Sequence, residues 1–189
     1  MVFRADHVLL AAGALASPRL LDAYLRSAGL ARTLPAAGAV GRNLKRHHLT
    51  AVLAVAPRRV RDRLRKTVLL TSDTFPHSSV QPLGAALTRG DCLAAELPPV
   101  VPRRLLDAVG ERAHGFFLQT EDGSHPDNRV VAANGSGKPI LDFDVDRIPA
   151  SRDEHRRFVR SFARDLFRCG LVPMVRPVGI AGTAHVCGT

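Results

Sequence analysis

The segment AHVCGT sets His185 two residues before Cys187 and ahead of a Gly188-Thr189 pair. On an extended backbone, residues two apart share a face, so the imidazole and the thiol would stand side by side. The glycine would let the backbone come close to a bound group. An imidazole with an ordinary pKa of about 6.5 can accept a proton near neutrality, which suits His185 to acid-base work. A hydrolase pairing Cys187 with His185 is one alternative, but the chain lacks the GxSxG elbow of such enzymes. In VLLAAGALASP, the residues Ala11, Ala12 and Gly13 present almost no side chain, so a ligand could lie against their backbone. In VGRNLKRHH, a Gly-Arg-Asn turn leads into His47 and His48. Neighbouring side chains on a strand point to opposite faces, so these two histidines do not share a metal.

The elements that must position these residues follow from periodicity and turn chemistry. Residues 7–12 (HVLLAA) form a short apolar run meeting Gly13, the pattern of a buried strand that ends in a tight turn. Such a strand needs neighbours in a sheet and cover on both faces, and the sequence that follows offers no obvious βαβ partner. A helix is expected next, with Ser17 as N-cap, Pro18 at the first position and Gly29 beyond its end; Leu20, Leu21, Tyr24 and Leu25 recur at helical spacing. Residues 33–43 read as a loop.

Strands are expected over 49–55 and 66–71, separated by an arginine-rich stretch, and residues 76–90 read as irregular. A stiff PPVVPRR segment precedes a short helix over 105–112. Three more strands are expected at 115–122, 128–133 and 139–145, the last two joined by an NGSG hairpin turn. Strands in succession, joined by turns, indicate an antiparallel sheet. The final helix begins at SRDE, where Ser151 and Glu154 are spaced as a capping box, and ends at Gly170. Phe158, Val159, Phe162, Ala163, Leu166 and Phe167 make its core face, opposite Arg156, Arg157, Arg160 and Arg164.

Composition narrows the function classes. The chain has 189 residues, 46% of them hydrophobic, enough for one ordinary globular domain or two small ones. No apolar run approaches the roughly 20 residues of a membrane span, and Asp6 interrupts what would be the basic end of a signal peptide, so a cytoplasmic protein is expected. Three widely spaced cysteines suggest neither a metal half-site nor a disulfide framework. The net charge of +10 fits a basic binding module for nucleic acid or protein, the alternative to an enzyme. Against nucleic acid stand the scattered arginines, the 5% aromatic content and the absence of tryptophan, which leave no stacking platform.

Taken in order, AAGALASPRLL followed by SAGL, then VGRNLKRH, then TEDGSHPDNRVV and finally HVCGT resemble the glucose-methanol-choline (GMC) family of FAD-dependent oxidoreductases. The likeness spans most of the chain, with the arginine- and proline-rich middle the least typical part. It implies an α/β (α+β) fold: the end of an FAD-binding Rossmann-like domain over residues 1–45, then an antiparallel-sheet substrate domain with flanking helices over 46–178. A return segment toward the flavin would occupy 179–189.

The resemblance also implies FAD as cofactor and a small-molecule alcohol as substrate, oxidised to a carbonyl, with no nucleic acid or membrane partner. It makes His185 the catalytic residue beside the flavin, and Ala12, Gly13 and Asn43 the cofactor-binding residues. Three departures stand out. No GxGxxG is present to cradle a pyrophosphate. The aspartate usual before the histidine of the VGxNLxDH pattern is Arg46, and the family's second His or Asn would lie beyond Thr189. The chain is therefore expected to be a piece of a longer protein, inactive alone.

Overall fold

The computed structural model describes residues 4–59, 66–84, 93, 99–131, 139–179, 186 and 188. Among them the chain is mixed α/β, with three α-helices and an open antiparallel sheet of five strands. The chain divides into two compact units. The first takes residues up to 46, residues 122–149 and the C-terminal Gly188; the second takes 47–121 and 150–184.

In the second unit the strands are β1 (His47–Val55), β2 (Leu70–Ser72), β3 (Phe75–Pro82), β4 (Ala113–Glu121) and β7 (Val172–Pro177), ordered β2-β3-β4-β1-β7. In β1, Thr50, Val52 and Ala54 are buried while the residues between them are half-buried, the alternation of a sheet covered mainly on one face. That face meets the helix α3 (Pro149–Arg168). Val52, Ala54, Val80, Phe116, Leu118, Phe158 and Leu166 form one apolar core. Phe162 meets Phe116 edge-on at 5.3 Å between ring centres, and Phe75 tilts against Phe158 at 5.4 Å. A shorter helix, α2 (Arg103–Gly110), buries Leu106 and leads directly into β4.

Several expectations hold and several need correction. The strands over 49–55 and 115–122 and the helix over 105–112 form within two residues of their expected ends. The strand expected over 66–71 begins only at Leu70. Residues 76–82, expected to be irregular, belong to β3. Their buried positions are Ser78, Val80 and Pro82, so no apolar alternation announced the strand. The edge strand β7 was likewise hidden by Pro173 and Pro177. The arginine-rich residues 60–65 and the turn residues of NGSG lie outside the described residues.

The helix α3 starts at Pro149, and the expected capping box does not form: Ser151 and Glu154 lie inside the helix and bond to the sheet instead. Its apolar stripe does pack as expected, except that Phe167 is exposed. The four arginines opposite are exposed.

In the first unit, α1 (Gly13–Ser27) begins earlier than Ser17. The Ser17 hydroxyl accepts the backbone N–H of Ala12 at 3.1 Å, and Pro18 sits within the helix. Gly29 ends it in a left-handed conformation, as expected. The strand expected over residues 7–12 is corrected: these residues are irregular, and Val8 and Leu9 are 83% and 93% exposed. An all-apolar strand needs hydrogen-bonding neighbours, and the described residues supply none. Leu20 and Tyr24 on α1 are also exposed. The expected pair of strands near 128–145 does form, as β5 (Arg129–Val131) and β6 (Ile140–Asp142), but as a separate two-stranded sheet in this unit.

Candidate functional site

In the first unit, four stretches distant in sequence meet around the turn Gly41-Arg42-Asn43. Gly41 has φ of +79°, and a Cβ built on it would lie 2.6 Å from the carbonyl oxygen of Val130 and 3.8 Å from the Pro18 side chain. Only glycine allows both that backbone conformation and that approach. The turn is sewn to β5 by two hydrogen bonds, Val130 N–H to the Gly41 carbonyl at 2.8 Å and Leu44 N–H to the Asn128 carbonyl at 2.7 Å. Gly188 packs so tightly on the Asn43 carbonyl that any side chain there would collide with it. The segments ASP, VGRNL and DNRVV and the glycine Gly188 thus converge on one locus.

Of the sequence-derived site residues, His185 lies outside the described residues, as does Cys187. Ala12 and Gly13 are exposed at the start of α1, and nothing stands within 4 Å of a Cβ built on Gly13. Asn43 is half-buried with φ of 62°, and its Oδ1 accepts the Ser124 hydroxyl at 3.1 Å. Its side chain thereby secures a strained turn. Arg46, standing where the family pattern has aspartate, lies over the Phe143 ring at 4.8 Å. Burial lowers the pKa of its guanidinium, and the nearby Asp122 works in the opposite sense.

Asn128 is the hub of this unit and was not singled out from the sequence. It is fully buried, and its Oδ1 accepts from the Asp144 N–H at 3.0 Å and from Arg147 Nη1 at 2.9 Å. Arg147 also donates to the Asp127 carbonyl at 2.6 Å and to Asp142 Oδ1 at 2.9 Å. The hydrogen bond from Arg147 holds the Asp142 carboxyl below its ordinary range; the Arg147 charge and Arg129 add to the effect and burial opposes it. The signal available was the Asp-Asn-Arg triplet before an apolar pair, a polar cluster where the chain turns into a strand.

The second unit holds a polar chain that sequence reasoning also missed. The Ser78 hydroxyl donates to Glu154 Oε1 at 2.9 Å, so at its 2.7 Å contact with Thr120 it must accept. Thr120 thereby spends its hydrogen, and at 2.8 Å its oxygen accepts from His155 Nδ1. The ring Nε2 is then bare and accepts the Thr50 hydroxyl at 2.8 Å. One carboxylate thus orients every proton along the chain and fixes the His155 tautomer. His48 stacks on His155 at 5.5 Å, and its Nε2 lies 3.1 Å from the Ser151 hydroxyl. His155 is 9% exposed, and Thr50, Ser78 and Thr120 are buried too. Groups so enclosed pin α3 to the sheet, a structural task.

Burial, and after it the neighbouring His48, lowers the pKa of His155 from 6.5 to about 4. Between these values the unfolded chain binds the proton and the folded chain does not. Stability is therefore full above pH 6.5 and falls as pH drops toward 4. The shift corresponds to at most about 3 kcal/mol, and to roughly 2 kcal/mol after solvent screening. Urea midpoints at pH 7 and pH 4.5 should show the loss, and His155→Gln should flatten the slope.

No protein-family model matches the chain, and no curated protein matches it. Among the described residues, no group of three or more His, Cys, Asp or Glu is placed to hold a metal. Among the described residues, no helix is long and apolar enough to cross a membrane.

Proposed function

We propose that this chain is the C-terminal portion of a GMC-type FAD-dependent oxidoreductase that oxidises an alcohol to a carbonyl. The observation that supports this most is the convergence on the Gly41–Asn43 turn. Pro18, Asn128, Val130 and Gly188 come from the very stretches that carry the resemblance, and they meet there in one unit. Glycine at 41 and at 188 is demanded by close backbone approach, so these motif glycines have a packing reason to be glycine.

The residues present fit one edge of a flavin site. Ala12 and Gly13 offer exposed backbone with open space beside it, and the first turn of α1 carries no acidic side chain to repel a cofactor phosphate. The pyrophosphate cradle itself has no counterpart in the sequence, so the chain would hold FAD only together with further polypeptide. FAD supplies a hydride acceptor when bound. The task left to protein side chains is removal of the hydroxyl proton, which we assign to His185. Asn43, with its side chain bound to Ser124, keeps the turn shape on which Gly188 rests.

The 189-residue chain alone is expected to lose FAD on gel filtration; a stoichiometric flavin spectrum would overturn that. Reading the coding DNA in frame on both sides tests the wider proposal. It should reveal a strand-turn-helix GxGxxG upstream and a His- or Asn-bearing segment downstream, and stop codons on both sides would contradict it.

A further inference from the structure

We propose that the arginine-lined cavity of the first unit binds a small phosphate-bearing metabolite, at a site whose lining does not include Ala12 or Gly13. The cavity has a volume of about 320 Å³ and lies between α1, the loop at 37–42 and β5. Its wall includes Arg19, Arg26, Arg42 and Arg129 against a single carboxylate, Asp22.

Two of these arginines are already paired, Arg26 with Asp22 at 2.8 Å and Arg129 with Asp142 at 3.3 Å. The other two differ. Arg19 and Arg42 are half-buried, and neither forms an ion pair within the described residues. A guanidinium that gives up part of its hydration without gaining a carboxylate is poorly compensated, and an anion in the cavity would repair this.

The volume is at the small end of the range for metabolite sites, roughly 300–1,000 Å³, which argues for a small molecule. Guanidinium forks match the oxygens of a phosphoryl group with paired donors. Val40, Val131 and Pro18 supply apolar wall for a short carbon skeleton. Gly41 lines the cavity where the turn seats on Val130.

The test is a titration of the 189-residue chain with glycerol 3-phosphate, with glycerol as neutral control, followed by calorimetry and backbone amide shifts. Saturable one-to-one binding is expected, with Kd on the order of 0.1–1 mM, and with shifts at Gly38, Gly41 and Val131. Arg19→Gln with Arg42→Gln should weaken it about tenfold or more, while Arg19→Lys with Arg42→Lys, which keeps the charges but loses the forks, should fall between. Arg156→Gln with Arg160→Gln on the exposed face of α3 should leave affinity unchanged. Absence of saturation would overturn the proposal, as would equal weakening by the α3 variant. Binding of a glutamate-rich peptide but not of glycerol 3-phosphate would also overturn it and make the cavity a seat for an acidic protein segment.

Discussion

Asn128→Ala is expected to destabilise the first unit by about 3 kcal/mol, read as a lower thermal or urea midpoint together with faster amide exchange in β5 and β6. The side chain is fully buried and its Oδ1 is the acceptor for both the Asp144 N–H and the Arg147 guanidinium. Truncation empties a fully buried position, takes the side-chain acceptor from the Asp144 N–H and removes one of the acceptors of Arg147, which keeps Asp127 and Asp142. Each lost hydrogen bond of this kind costs about 1–3 kcal/mol. The backbone carbonyl of residue 128 would still receive Leu44, so the turn would loosen without losing its register. Asn128→Asp keeps the acceptor for both donors and should cost less than the alanine variant. If alanine and aspartate variants were equally stable, the Oδ1 contacts would not be what holds this unit.

His155→Ala is expected to cost the second unit about 3–4 kcal/mol, with the loss concentrated where α3 meets the sheet. It removes a buried ring and leaves both Thr50 and Thr120 without their ring partner. His48 loses its stacking neighbour as well. His155→Gln can both donate and accept, so it should recover part of the loss while flattening the pH dependence between 6.5 and 4. Hydrogen exchange in α3 is the direct readout. Protection in α3 unchanged by His155→Ala would mean that the apolar stripe alone secures the helix.

These two residues also show where sequence reasoning stops. Apolar periodicity revealed β1, β4 and the stripe of α3, because their burial is written in side-chain hydrophobicity. It failed for β3, whose buried Ser78 is held by hydrogen bonds to Thr120 and Glu154 rather than by apolar contact. The spacing of Ser151 and Glu154 suits a cap, but in the fold their side chains bond to His48 and Ser78 of the sheet. Ser151, His155, Phe158, Phe162 and Leu166 fall on one helical stripe, so polar residues heading an apolar stripe were the available sign of a buried network.

In the first unit the glycines at 41 and 188 were legible as motif members, but their reason, contact with Val130 and Asn43, depends on partners remote in sequence. The apolar run at 7–12 has the composition of a strand. Strand formation depends on partners, and Val8 and Leu9 have none in the described residues.

We propose that His185 serves alcohol oxidation beside a flavin, and flavin absorbance decides it: the protein expressed from its full open reading frame is followed anaerobically as primary and secondary alcohols are added. The expected result is flavin bound in stoichiometric amount and bleached by at least one alcohol. His185→Ala should retain the flavin and slow bleaching by roughly 10²–10⁴-fold. A protein that carries no flavin, or a flavin bleached equally fast without His185, would contradict it.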